Sequence, residues 1–325
     1  MSLPMAILGA GIAGASAARE LHRRGFSVRV FDKGSNPGGR AATRTREGAH
    51  FDHGAQYFTA RDPRFLEQVQ AWRSSGVVQA WQPRLASIDA KGVQPLDSRE
   101  IRWVGVPGMR ELATDLLQGI DLECSQRVVR VEYSARGWLL HLKDASTRGP
   151  FSALLCTLPP AQAVELLPLE PVVEPARAVQ FGPCWALMLS FAEALPVDFD
   201  AAFINDGPLS WITRDSSKPG RPLGERWLVH AGPVFSRETF DLPPAEVEAR
   251  LLSAFHSTLG SAPVDPARSA LHRWGYALAQ PPLELGIIAD EARRIALGGD
   301  WCHGSRIEGA WMSGLLLAQW ASKLA

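Results

Sequence analysis

Met5-Ala-Ile-Leu-Gly9-Ala-Gly11-Ile-Ala-Gly14 is the stretch on which the fold turns. Its apolar start predicts a short buried strand, and a helical pattern runs on from the glycines to Arg24. A second strand is expected from Ser27 to Phe31, ending at Asp32. In a strand–turn–helix of this kind Gly9 permits the tight bend, Gly11 lets the backbone approach a pyrophosphate, and Gly14 lets helix and strand pack closely. The helix N-terminus offers unpaired N–H groups and a positive dipole end to an anion. Asp32 stands eighteen positions past Gly14, where a carboxylate binds an adenosine ribose hydroxyl and disfavours a 2′-phosphate. These features predict an α/β fold with a Rossmann-type dinucleotide-binding domain.

Outward from that stretch, the 325 residues exceed one typical domain. Hydrophobic residues make up 46% and charged residues 21%, which suits a globular protein with a full core. The formal net charge is zero, so no basic field argues for nucleic acid or an anionic membrane. Cys124, Cys156, Cys184 and Cys302 are far apart and form no CxxC, which disfavours a disulfide scaffold or zinc site and fits a reducing cytoplasm. No apolar run reaches the eighteen or so residues of a membrane span. Neither a GxSxG nor an HExxH motif is present, so hydrolase and metalloenzyme readings have no support.

The loop 34–46 carries Gly38-Gly39-Arg40, where backbone and guanidinium can close on the same pyrophosphate. Phe51-Asp-His-Gly-Ala-Gln-Tyr-Phe-Thr59 sets small residues beside aromatics and suggests a backbone passing close to a planar ligand. Helices are expected at 63–74, 107–117, 161–167 and 243–259. Strands at 120–124, 127–133, 137–142 and 151–157 read as a small antiparallel meander. From 168 to 275 the strands at 184–191, 209–213, 226–231 and 268–274 suggest a second domain on a mainly antiparallel sheet plus helices. Arg294 to Asp300 then reads as a strand ending in Gly-Gly-Asp, followed by a helix from Ile307 or Glu308 that aims its N-terminus at a second anion. The expected division is 1–75, 105–160 and 276–325 for the dinucleotide domain, and 76–104 and 161–275 for the substrate domain.

The GAGIAG start, Gly38-Gly39-Arg40, Asp52-His-Gly-Ala-Gln-Tyr-Phe-Thr59, Cys156-Thr-Leu-Pro159 and Gly298-Gly-Asp-Trp…Glu308-Gly-Ala-Trp-Met-Ser-Gly314 together resemble the flavin amine-oxidase superfamily. Within it they resemble the renalase-like bacterial oxidoreductases. The resemblance implies non-covalent FAD. Gly9, Gly11, Ala13, Gly14 and Arg40 would hold the pyrophosphate, Asp32 the adenosine ribose, and the Val129 backbone the adenine. Asp300 would meet the ribityl or phosphate region, and Glu308, Gly309 and Ala310 would open a helix toward the flavin N1–C2=O edge. Gly54, Ala55 and Gln56 would lie beside the isoalloxazine ring, while Lys33, Gly39, Thr157 and Gly299 complete the expected cofactor contacts. Asp32 stands where most members of the wider family carry Glu.

The same resemblance implies oxidation of dihydro-NAD(P) isomers reduced at ring position 2 or 6, with hydride passing to flavin and then to O2, giving NAD(P)+ and H2O2. An amine oxidase or desaturase-like dehydrogenase is the alternative, and a non-catalytic flavin-binding protein a third class. Substrate-slot candidates are His272, Trp274, Tyr57 and Gln56, with Trp185, His230, Tyr276 and Trp301 behind them. For each of these a place in the core is as good a reading. Many amine oxidases hold a water near flavin N5 with a lysine; none of Lys33, Lys91, Lys143, Lys218 and Lys323 lies in a segment expected on the flavin face. Cys302 and His303 are conceivable points of covalent FAD attachment, a minority reading beside the non-covalent one.

Overall fold

The computed structural model describes residues 3–46, 48–167, 172–260 and 262–324. A six-stranded sheet is built around Met5–Leu8, which is fully buried and parallel to both Val28–Phe31 and Leu154–Cys156. Ile295–Gly298 continues it in parallel beyond Leu154–Cys156, and Ile287–Asp290 closes that edge antiparallel. At the other edge Asp121–Glu123 lies parallel to Val28–Phe31. Buried parallel strands of this kind read as continuous apolar runs, which is how Ala6-Ile-Leu and Leu154-Leu-Cys appear.

Four expectations are corrected here. The first helix spans Ile12–Arg23, so its opening turn includes Gly14 instead of following it. The expected four-stranded meander has three strands, Val128–Ser134, Gly137–Leu142 and Thr147–Phe151. Asp121–Glu123 leaves it for the large sheet, where Arg29 pairs with Asp121 at 2.7 Å. The 151–157 run is two strands, because Ser152 N–H donates to Pro4 O and turns Leu154–Cys156 into the parallel sheet. The 107–117 helix is shorter than expected, at Glu111–Leu116.

The second sheet has seven strands, in the order Arg268–Ala279, Phe181–Phe191, Glu225–Ala231, Leu209–Arg214, Ala201–Ile204, Leu85–Asp89 and Gly92–Pro95. All neighbours are antiparallel except Ala201–Ile204 with Leu85–Asp89. The helix Pro244–Leu259 lays Val247, Leu251 and Phe255 against one face, beside Trp227 and Phe191. The strand expected to stop at 274 continues to Ala279 and carries the chain back toward the first sheet. Among the described residues no helix is long and apolar enough to cross a membrane.

Candidate functional site

The parallel strands of the first sheet deliver their C-terminal ends to one cavity of about 1760 Å³. Such ends are where open α/β sheets bind ligands. Gly9, Gly11, Ala13, Asp32, Lys33, Gly39, Arg40, Thr157, Gly299 and Asp300 all stand on its wall. The first helix has no side-chain cap at Gly11, which leaves its opening N–H groups facing the cavity. Asp32 accepts from Ala10 N–H at 2.7 Å and Gly34 N–H at 2.6 Å, fixing the carboxylate at the mouth of the turn. Three strand spacings away, about 14 Å, Asp300 opens a short helix and accepts from both terminal nitrogens of Arg40, one at 2.8 Å. Val129 from the three-stranded sheet also lines the cavity, with its side chain half in solvent.

The motif segments are stitched to one another by backbone. Gly38 N–H donates to Ala10 O at 2.9 Å, and Ala55 N–H donates to Arg40 O at 2.9 Å. A Cβ on Gly54 would sit 1.9 Å from Arg40 O, so only glycine fits that crossing. Gly14 meets a similar limit, 1.9 Å from Gly9 O, and is a packing residue off the cavity wall.

Three expected site residues turn elsewhere. Gln56 points inward: its amide donates to Asp52 O and Gly54 O, and its Oε1 accepts from Lys218 Nζ at 3.2 Å. The Glu308 carboxylate accepts from the backbone N–H groups of Arg61 and Asp62, at 2.8 and 2.6 Å. Gly309 lets the last helix, Ile307–Ala321, cross Gly304, whose carbonyl a Cβ would meet at 1.9 Å. That helix reaches the cavity through Ile307 and Ala310.

At the other end of the cavity, Gly54, Ala55 and Tyr57 face His53, His230, His272 and Trp274. Trp274 Nε1 donates to His53 O at 2.8 Å, and the His53 ring stacks on it with centroids 5.1 Å apart and planes 21° apart. His272 stands edge-on to both, at 4.7 and 4.4 Å. Burial, then the neighbouring His272 and Arg44, holds the His53 imidazole down to about 3. Burial takes His230 to about 4 and lowers His272 as well. All three rings are thus neutral at pH 7. Tyr276 also lines the wall. Trp185 and Trp301 are buried away from it, Trp301 donating to Leu158 O at 3.2 Å. The Cys302 thiol is buried off the wall, and burial pushes it well up from the ordinary thiol range.

Behind Gly54–Gln56 lies a sealed ionic cluster that sequence reading missed. Lys218 Nζ is 2.5 Å from Asp215 and 3.2 Å from Asp52, and Arg221 Nη2 is 2.5 Å from Asp52. Asp52 also accepts from Thr43 Oγ1 at 2.7 Å and Met109 N–H at 3.0 Å. Burial opposes ionisation of Asp52, but the Lys218 and Arg221 charges outweigh it and set the carboxyl at about 2. Burial pushes Asp215 up. Nothing local in the sequence marks Lys218 and Arg221 as partners of Asp52, more than 160 residues away.

A family model of flavin-containing amine oxidoreductases matches residues 91–320, and one of NAD(P)-binding Rossmann-like domains matches residues 7–71. The chain belongs to the flavin-containing amine oxidoreductase family. Its cofactor is FAD, and the wall described above fits it, with an uncapped helix N-terminus for a pyrophosphate and Asp32 for a ribose. Over 97 residues the chain is 33% identical to a neurosporene-forming phytoene desaturase of Cereibacter sphaeroides, covering 30% of this chain and 17% of that one. A phytoene desaturase of Fusarium fujikuroi matches over 112 residues at 30% identity, covering 34% and 17%. The matched stretch thus spans well under a quarter of either relative's length. Among solved structures, cyclohexylamine oxidase from Brevibacterium oxydans superposes with a TM-score of 0.78 at 14% identity, over 99% of both chains. Putrescine oxidase bound to putrescine gives 0.75 at 14%, over 98% of both. At such identities the likeness establishes the fold.

Proposed function

We propose that this family member is a renalase-like oxidase. It takes dihydronicotinamide dinucleotides reduced at ring position 2 or 6, with O2 as final acceptor and NAD(P)+ and H2O2 as products. The observation that carries this reading is the aromatic shelf on the cavity wall, where the His53 ring stacks on Trp274 and the His272 ring stands edge-on to both. FAD supplies the hydride acceptor. The chain supplies orientation: an aromatic shelf stacks a planar ring and holds it in one pose. The Trp274 Nε1–His53 O bond sets the tilt of that shelf, and Tyr57 closes the slot beneath Arg102, whose guanidinium lies 5.2 Å from the Tyr57 ring. A dihydropyridine becomes an aromatic pyridinium when it loses hydride, so the step needs no base. Histidines held at about 3 and 4 are weak bases and suit such a site.

The competing reading is an amine oxidase or a desaturase-like dehydrogenase, favoured by the names of the relatives and structural neighbours. Against it, the buried Lys218 is committed to Asp215, Asp52 and Gln56 and lies off the cavity wall, leaving it no freedom to hold a water there. The deciding experiment is anaerobic mixing of FAD-loaded protein with separated 2-, 4- and 6-dihydro-NAD while the visible flavin band is followed. Fast bleaching by the 2- or 6-isomer, with little by ordinary NADH, is the expected result. Bleaching by putrescine or cyclohexylamine, and by no dihydronicotinamide, would overturn it.

A further inference from the structure

The cavity wall is electrically lopsided in a chain of zero formal net charge. It carries nine arginines and lysines against four carboxylates, Asp32, Glu100, Glu165 and Asp300. Two of those acids are already taken, Asp300 by Arg40 and Glu100 by Arg61. Arg44 stands apart. It is half-buried on the strand Thr43–Arg46, opposite Phe51 in the register, and Phe51 packs against Trp274 and Ala186. Among the described residues its guanidinium has neither an ion-pair nor a hydrogen-bond partner, although it lines the cavity with His53 and His272. Its charge is felt at both imidazoles, which it helps to hold in the neutral form.

A guanidinium partly withdrawn from water and left without a counter-charge favours an anion, and its fork matches phosphate oxygens. The neutral imidazoles beside it add ring N–H donors without demanding a counter-charge of their own. The His53 Nδ1 atom is buried without a partner. The geometry points to an anion subsite at Arg44, flanked by His53 and His272, that takes a phosphate of the substrate while the substrate's ring lies on the Trp274 shelf. The phosphate's assignment to a dihydronicotinamide nucleotide rests on the function proposed above; the subsite itself does not. Substrates bearing phosphate are therefore selected over the bare nucleoside, and cationic amines are disfavoured at this end.

The test uses FAD-loaded protein and inorganic pyrophosphate as probe, with binding read by calorimetry and by perturbation of the flavin spectrum. Wild type is expected to bind pyrophosphate, and R44Q to bind it about tenfold or more weakly. R84Q, which removes a surface arginine paired with Asp200 away from the cavity, is expected to bind as wild type does. R44K keeps the charge without the fork and is expected to fall between; it also serves if R44Q fails to retain FAD. No pyrophosphate binding by wild type, or equal binding by wild type, R44Q and R44K, overturns the subsite. A parallel comparison of 6-dihydro forms of NAD, the mononucleotide and the riboside tests the assignment. The riboside is expected to show the highest half-saturating concentration, with that gap lost in R44Q. Bleaching by none of the three, with Arg44-dependent pyrophosphate binding intact, would remove the proposed function and leave the subsite standing.

Discussion

Two charge clusters flank the Gly54–Gln56 segment, and they are built on opposite terms. On the cavity side, Arg40 and Asp300 pair in the wall, with Arg40 still partly in solvent. On the far side, Asp52, Lys218, Asp215 and Arg221 pair with almost no exposure. The wall pair can trade partners with a ligand because water already reaches it. The sealed cluster cannot, since any unpaired member would be stranded in low dielectric. One cluster is suited to binding and the other to holding the segment in place.

Asp52→Ala breaks the sealed cluster and leaves Lys218 and Arg221 short of a counter-charge. It should cost about 3–5 kcal/mol of stability, read from the denaturant midpoint of FAD-loaded protein. Asp300→Ala should cost clearly less stability while loosening FAD retention in ultrafiltration. Equal stability losses would erase the distinction between the clusters.

Gly14 and Gly11 sharpen the same contrast between holding and binding. A Cβ at Gly14 would lie 1.9 Å from Gly9 O, whereas at Gly11 its nearest neighbour is Gly39 Cα at 4.0 Å. Gly14→Ala should destabilise by about 1–3 kcal/mol. Gly11→Ala should change stability by less than about 0.5 kcal/mol yet weaken FAD retention, because the added methyl meets the cofactor instead of the protein.

The same contrast between holding and binding has a pH dependence. The fold holds His53 at about 3 and His230 at about 4, while the unfolded chain protonates each near 6.5. Acid therefore favours the unfolded state. Stability should be full above about pH 6.5 and fall on acidification by up to about 1.4 kcal/mol per unit for each histidine, levelling off below the folded values. His53→Asn should flatten that slope in denaturation series between pH 4.5 and 7.

The contrast also explains what was legible in the sequence. Gly9, Gly11, Asp32 and Gly39-Arg40 lie within about thirty residues of one another, and their chemistry is backbone approach, which glycine spacing displays openly. The histidine cluster of the cavity wall is assembled from His53, His230 and His272, each on a different strand or loop, and one-dimensional spacing says nothing of their meeting. His272 and Trp274 were readable as candidates because they alternate on one strand. His53 sits inside the 51–59 motif with nothing in its spacing to single it out, and Arg44 is one of several arginines in the 34–46 stretch. Gln56 misled for a related reason: its segment touches the cavity, but its amide is needed by Lys218 and the Asp52 carbonyl behind it.

The strand Arg268–Ala279 carries His272 and Trp274 at its middle, and toward its end Ala277 O accepts from Arg40 and Ala279 O from Ser305. Its ladder with Phe181–Phe191 runs from Arg268 to Ala279, with one register shift between the Trp274 and Leu278 pairings. Cofactor-side and substrate-side regions thus share a single hydrogen-bonded rail, and melting either half exposes the edge on which the other depends. Denaturation followed by flavin fluorescence and by tryptophan emission should consequently trace one coincident cooperative transition, without a half-folded plateau.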